Sequence, residues 1–160
     1  MQHLSKTRFL CEMALIAAIY ATLTLALAPI SFGAVQLRVS EALSILPFFT
    51  AAAVPALFVG CLISNIFGSA LGLLDIIAGS LATLCAAFIT SKIKNKWLVP
   101  LPSVIINAFV VGWVLYLSLG VPFFVNVLWV GIGQALACYG LGMPLLFILE
   151  KYKKAIFLRS

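Results

Sequence analysis

Charge is scarce in this chain. Only 9% of its 160 residues are Asp, Glu, Lys or Arg, and the acidic side chains number 4. A soluble domain of this length needs a polar surface, and so few charges cannot cover one. Histidine is nearly absent. The single one, His3, lies in the N-terminal tail, which leaves none for a proton relay or a metal centre in the body of the chain. There is no HExxH, GxSxG or Walker-type phosphate loop, so no catalytic residues are expected, and no ATP hydrolysis by this chain itself. No cofactor and no metal ion is called for. Cys11, Cys61, Cys85 and Cys138 lie in apolar runs without a CxxC pair, and packing is their expected role.

What is present in quantity is apolar. The chain is 64% hydrophobic, with a mean hydropathy of +1.23, the composition of a protein dissolved in a lipid bilayer. The net charge of +6 does not point to nucleic acid. Its basic residues form three clusters, at Lys6 and Arg8, at Lys92, Lys94 and Lys96, and at Lys151, Lys153, Lys154 and Arg159. Each flanks an apolar run, and the positive-inside rule accounts for them. The run from Phe9 to Ala28 is too long for an ordinary signal sequence and further spans follow, so it reads as a first transmembrane helix.

The expected fold is an all-α integral membrane bundle, one transmembrane domain over residues 1–160. Its helices fall roughly at 9–28, 41–50, 53–67, 73–91, 101–119 and 123–150. The count turns on residues 42–67, which Pro47 and Pro55 interrupt. One crossing there would give five elements and put the Lys92 cluster opposite the other two. Two short segments folded back near Phe49 to Ala53 give six elements, with all three clusters and both termini on the cytoplasmic side. A straight crossing takes about 20 residues, so two such segments must be short and sheltered by protein neighbours. In the six-element arrangement the polar loop from Gly33 to Glu41 caps the outer face.

A charge at the centre of a bilayer costs about 2.5–3.5 kcal/mol on insertion scales. Arg38, Glu41 and Asp75 are therefore expected to face water, a partner or a ligand. Arg38 and Glu41 are three apart and can pair on one face of a coiling segment; the plainer alternative is an ion pair at the membrane surface. As a ligand clamp, Glu41 would accept bonds from an amine or guanidine-like edge and Arg38 would position a carbonyl. Gln36 offers a donor and an acceptor beside them. Asp75 starts an apolar helix, where the helix dipole stabilises it, and it could also reach the ligand.

Asn65, Asn107, Asn126 and Gln134 are costly in lipid unless bonded. Asn126, Trp129 and Gly133 recur three and four apart on one helix. With Trp113 on the preceding span, they suggest an aromatic plane beside an amide, suited to a flat heterocycle. Interfacial anchoring is the alternative for Trp129. Asn107 is expected to bond between helices. On the first helix, Ala14–Ala18 and Ala17–Ala21 are small-xxx-small pairs that permit close helix approach.

The stretches VQLRVSEAL, from Val35 to Leu43, and GLLDIIAGSLATL, from Gly72 to Leu84, resemble the QueT family. Its members are substrate-binding S components of energy-coupling factor (ECF) transporters for queuosine precursors. The resemblance covers nearly the whole chain. It implies six transmembrane helices, cytoplasmic termini, a multi-pass place in the bacterial plasma membrane, and a deep external pocket for a 7-deazaguanine: the aminomethyl or cyano precursor, or queuine. It also implies that Ala14 and Ala18 face a transmembrane coupling subunit, and that two separate ATPase subunits supply the energy. Within that resemblance Glu41 is the first choice to read the ligand's N–H edge and Asp75 the second. Arg38, Gln36, Asn65, Asn126, Trp129 and Trp113 complete the expected substrate site. A stand-alone facilitator or secondary transporter of a heterocyclic metabolite is the alternative, and a ligand-free membrane scaffold a third.

Overall fold

The computed structural model describes residues 6–32 and 36–153. His3, Gly33, Val35, Lys154 and Arg159 lie outside the described residues. All regular structure in the described residues is helical. The order is α1 (Lys6–Ala26), the one-turn α2 (Ala28–Ser31), a 3-10 helix (Val39–Phe48), α3 (Ala53–Gly68), α4 (Asp75–Thr90), α5 (Leu101–Leu119) and α6 (Phe123–Lys151). Residues 42–67 thus form two elements joined by a turn at 49–52. Wide π-type turns open α4 at Asp75–Gly79 and interrupt α6 at Leu136–Gly142.

Local chemistry sets these boundaries. Ala, Leu and Met carry α1. Pro29 falls in the first turn of α2 and Pro102 in that of α5, where proline's missing N–H costs nothing. Gly120 ends α5 with φ +69°, a left-handed conformation that glycine adopts freely, and its N–H bonds Tyr116 O at 3.0 Å.

The described helices are inverted relative to a soluble bundle. Thr24, Ser40, Glu41, Ser64, Asn65, Asp75, Thr83, Asn107 and Gln134 are buried, while large apolar side chains such as Phe124, Phe67 and Leu73 stand 80%, 76% and 74% exposed. Water would penalise so much bare hydrocarbon; a lipid solvent does not. Three described segments are long and apolar enough to cross a membrane: Lys6–Ala26, Lys96–Leu119 and Phe123–Lys151. Thr24, Ser64 and Thr83 donate to the carbonyls four residues back, Tyr20 O (2.9 Å), Gly60 O (2.7 Å) and Gly79 O (3.1 Å), so these hydroxyls are satisfied inside their own helices.

The interior is assembled by close helix contacts. Gly60 of α3 lies against α1: a Cβ there would stand 2.9 Å from both Ala17 O and Tyr20 Cβ. The two alanine pairs of α1 separate accordingly, with Ala17 and Ala21 buried and Ala14 and Ala18 exposed. Overpacking such a contact costs about 1–3 kcal/mol. Gly60→Val is therefore expected to lower the detergent-solubilised melting temperature clearly, while Ala14→Val, on the exposed side, leaves it near wild type.

At one end of the bundle Glu12 accepts from Thr50 Oγ1 (2.9 Å), Lys96 pairs with Glu150 (2.6 Å), and Tyr139 donates to Trp97 O (3.1 Å). Arg38 and Asp75 meet towards the other end. Phe32 lies over Gly68 there, with its ring 4.9 Å from the Arg38 guanidinium carbon.

Candidate functional site

The 3-10 helix, α1, α3 and α4 converge on a polar cluster inside the apolar bundle. Arg38 immediately precedes the 3-10 helix with extended backbone, φ −90° and ψ 105°. Its side chain therefore does not share the helical face of Glu41, and the expected pairing of the two does not form. Arg38 turns instead to Asp75, with Nη2 3.8 Å from Oδ2, and its Nη1 stands 3.6 Å from Cys61 Sγ. Glu41 finds its partner on α1: Tyr20 donates to Oε1 at 2.6 Å.

Asp75 enters the interior from the wide turn that opens α4. Ser69 donates to its Oδ2 at 2.5 Å, and Asn65 Nδ2 reaches its backbone carbonyl at 3.1 Å. Asp75 thus does more than decorate a helix start: it is fully buried and tied to α3 as well as to Arg38. Nearby, the hydroxyls of Thr24 and Ser40 share a 2.6 Å bond between α1 and the 3-10 helix. On the far side of that helix Cys138 Sγ lies 3.6 Å from Glu41 O, and Ser44 Oγ lies 3.6 Å from Cys138 Sγ. The segment that carries Glu41 is thereby backed by the wide turn of α6.

Several polar atoms in this cluster are buried without a hydrogen-bond partner: Arg38 Nε and Nη2, Glu41 Oε2, Asp75 Oδ1, Asn65 Oδ1 and Ser80 Oγ. Buried polar groups are ordinarily satisfied, and each unmet group costs about 1–3 kcal/mol. A concentration of orphans in one place marks a surface organised for something other than itself. It offers guanidinium donors and carboxylate and amide acceptors together, the set needed to read the edge of a polar heterocycle.

Of the expected site residues, the structure gathers Arg38, Glu41, Asp75 and Asn65. Gln36 is also buried, with φ 48°, an uncommon backbone conformation for a non-glycine residue. Asn126 is buried but spent on the packing of α5 against α6, donating to Val121 O (3.1 Å) and Gly112 O (3.5 Å). Trp113 and Trp129 are 50% and 49% exposed and outside this network. The inward face of α6 is set by Asn126, Val130 and Gly133, which turns the indole of Trp129 away from the position that the shared-face reading gave it. Asn107 bonds Gln134 between α5 and α6 at 3.5 Å. Among the described residues no group of three or more His, Cys, Asp or Glu gathers to hold a metal ion.

Sequence reasoning missed Tyr20, Ser69 and Ser80. A tyrosine in an alanine-rich helix reads as packing; the usable signal was that a buried phenol seeks a partner. Tyr20→Phe removes the donor and leaves Glu41 Oε1 without it. The expected result is a loss of about 1–3 kcal/mol of stability, read as a lower melting temperature, with the exposed Ala14→Ser unaffected by comparison.

The family model described as QueT transporter matches residues 10–151. The queuosine precursor transporter QueT of Lactococcus lactis subsp. cremoris (strain MG1363) is 40% identical over 82 residues, covering 50% of this chain and 47% of that protein. The chain thus spans about half the length of the curated relative it matches. No solved structure matches it. The family match runs from the first turns of α1 to the last residue of α6 and takes in the whole buried cluster, and the chain belongs to the QueT transporter family.

Proposed function

We propose that this protein is the membrane-embedded substrate-binding subunit of an ECF-type importer, and that it captures a queuosine precursor in the cluster around Arg38, Glu41 and Asp75. One observation carries the reading: two carboxylates and a guanidinium, with unmet hydrogen-bonding capacity, are held in the interior of an otherwise apolar bundle. Lipid tolerates such groups when they serve a ligand or a pathway. Family membership supports the transport class, and the name of the Lactococcus lactis relative supports the ligand class.

A 7-deazaguanine presents ring N–H and exocyclic amine donors beside a carbonyl. Glu41 Oε2 would accept from the donor edge, and the Arg38 guanidinium would donate to the carbonyl. Gln36, buried two residues before Arg38, would offer a further donor and acceptor. Asn126, Trp113 and Trp129 have a weaker claim, since the first is bonded to backbone and the other two stand outside the cluster.

In this reading the chain forms one transmembrane domain of six elements, the 3-10 helix and α3 being the two short ones, in the bacterial plasma membrane. Both termini and the three basic clusters are cytoplasmic, and the Arg38 end of the bundle faces outward. Ala14 and Ala18, exposed on α1, would meet the coupling subunit, and two partner ATPase subunits would hydrolyse ATP. Uptake into proteoliposomes tests this arrangement. The chain alone should bind without transporting, and addition of coupling and ATPase subunits with ATP should start uptake. Robust uptake by the chain alone would replace this reading with a stand-alone facilitator.

A further inference from the structure

Two basic clusters far apart in sequence are joined in space. Lys96 Nζ meets Glu150 Oε1 at 2.6 Å. The Trp97 and Phe147 rings pack edge to face at 5.9 Å, and Tyr139 Oη donates to Trp97 O at 3.1 Å. The loop between α4 and α5 is thereby fastened to the end of α6. Lys92 and Lys94 lie four and two residues before Lys96, and Lys151 and Lys153 one and three residues after Glu150. A residue spans at most about 3.6 Å, so these lysines share one corner of the bundle.

This corner holds more positive charge than the chain can neutralise. Of the 4 acidic side chains, Glu41 and Asp75 are buried in the polar cluster. Glu12 is held by Arg8 and Thr50, and Glu150 by Lys96. No side-chain carboxylate is left for Lys92, Lys94, Lys151 and Lys153, all of which are exposed. Lys92 and Lys151 lie over ring faces instead, Phe88 at 5.2 Å and Tyr152 at 6.0 Å, contacts that orient an ammonium without cancelling its charge.

The same corner is apolar. Asn95 accepts from the Trp97 N–H at 3.1 Å and caps the short 3-10 turn Lys96–Leu98. The Trp97 side chain is left 65% exposed, and Leu98 and Phe147 stand 46% and 45% exposed. Two segments long enough to cross a membrane meet here: Lys96–Leu119 starts in this corner and Phe123–Lys151 ends in it. The lysines and the rings therefore lie at the depth where hydrocarbon gives way to headgroups. An acidic protein surface would answer the lysines and leave the rings bare. An anionic phospholipid answers both, its phosphate meeting the ammoniums and its acyl chains the rings. We propose that Lys94 and Lys151, with the Trp97–Phe147 step, hold one anionic phospholipid by its headgroup and upper chains. The site is separate from the buried cluster and stands whichever ligand that cluster takes.

Phosphatidylglycerol and phosphatidylcholine with the same acyl chains, titrated into the purified chain in a neutral detergent and followed by native mass spectrometry, test the proposal. Phosphatidylglycerol is expected to bind at least about fivefold more tightly, the factor that one lysine near an anionic headgroup supplies. Lys94→Gln and Lys151→Gln should each cut that preference by about half or more, and raised salt should weaken it further. Lys6→Gln, which removes one charge from α1 instead, should leave it in place. Melting curves without lipid show whether each variant is folded, and Lys94→Arg, which keeps the charge, should keep the preference. Equal affinities for the two lipids overturn the site. So does a preference that both corner variants leave unchanged, or that Lys6→Gln lowers as much as they do. Glycerol phosphate binding as tightly as the whole lipid also overturns it, because the rings then take no part. Corner variants that lose assembly with partner subunits while keeping the lipid preference assign the lysines to an acidic protein surface and overturn it too.

Discussion

Replacing Arg38 with Met is expected to cost about 3–5 kcal/mol of stability, the range seen when one member of a buried ion pair is removed and its partner left charged. The stranded group is Asp75, fully buried and paired at 3.8 Å with Arg38. Its Ser69 bond is a neutral contact and does not replace the lost cation. The double variant Arg38→Met/Asp75→Asn removes both charges. It should recover much of the loss, because the dominant penalty is the lonely carboxylate and not the loss of attraction. Thermal unfolding of the wild type, both single variants and the double variant in one detergent gives the coupling directly. Additive losses in the double variant would mean that the two side chains do not act on one another.

Glu41→Gln should leave the fold largely intact and reduce affinity for a 7-deazaguanine by about tenfold to a hundredfold. That range follows from hydrogen bonds to charged groups contributing about 1.5–3 kcal/mol. The amide keeps the shape of the carboxylate and can still accept from Tyr20, whose bond to Oε1 is 2.6 Å. What it cannot do is present two acceptor oxygens: the atom replacing the unpartnered Oε2 becomes a donor and faces the ligand's own donors. Titration calorimetry beside a melting curve separates the two effects. Unchanged affinity with an intact fold would remove Glu41 from the pocket.

Some of the buried cluster is written in the sequence and some is not, according to the physics involved. That Arg38, Glu41 and Asp75 are held away from lipid follows from the cost of a charge in hydrocarbon, and all three are buried together. Their partners were not legible. The Arg38–Glu41 spacing suits a pair only if the helix has already begun at residue 38, and it begins at Val39. Tyr20 lies 21 positions upstream of Glu41, a contact that no local pattern encodes. The wide turns at Asp75–Gly79 and Leu136–Gly142 are hardly more legible: Gly79, Gly140 and Gly142 weaken an α-helix there but do not say that it widens. The surroundings of Trp113 and Trp129, both about half exposed, were hidden for a related reason. On a helix apolar all round, spacing says which residues share a face but not which face turns inward, and the close contact of Gly112 with Val127 settles the register of α5 against α6.

The most direct test of the account is a calorimetric titration of the purified chain, without nucleotide or partner subunits, against the aminomethyl compound, the cyano compound, queuine and guanine. Saturable one-site binding of a 7-deazaguanine by the chain alone is expected, lost on substitution within the Arg38, Glu41 and Asp75 cluster. No saturable binding by any of the four, to a chain shown to be folded, would contradict it.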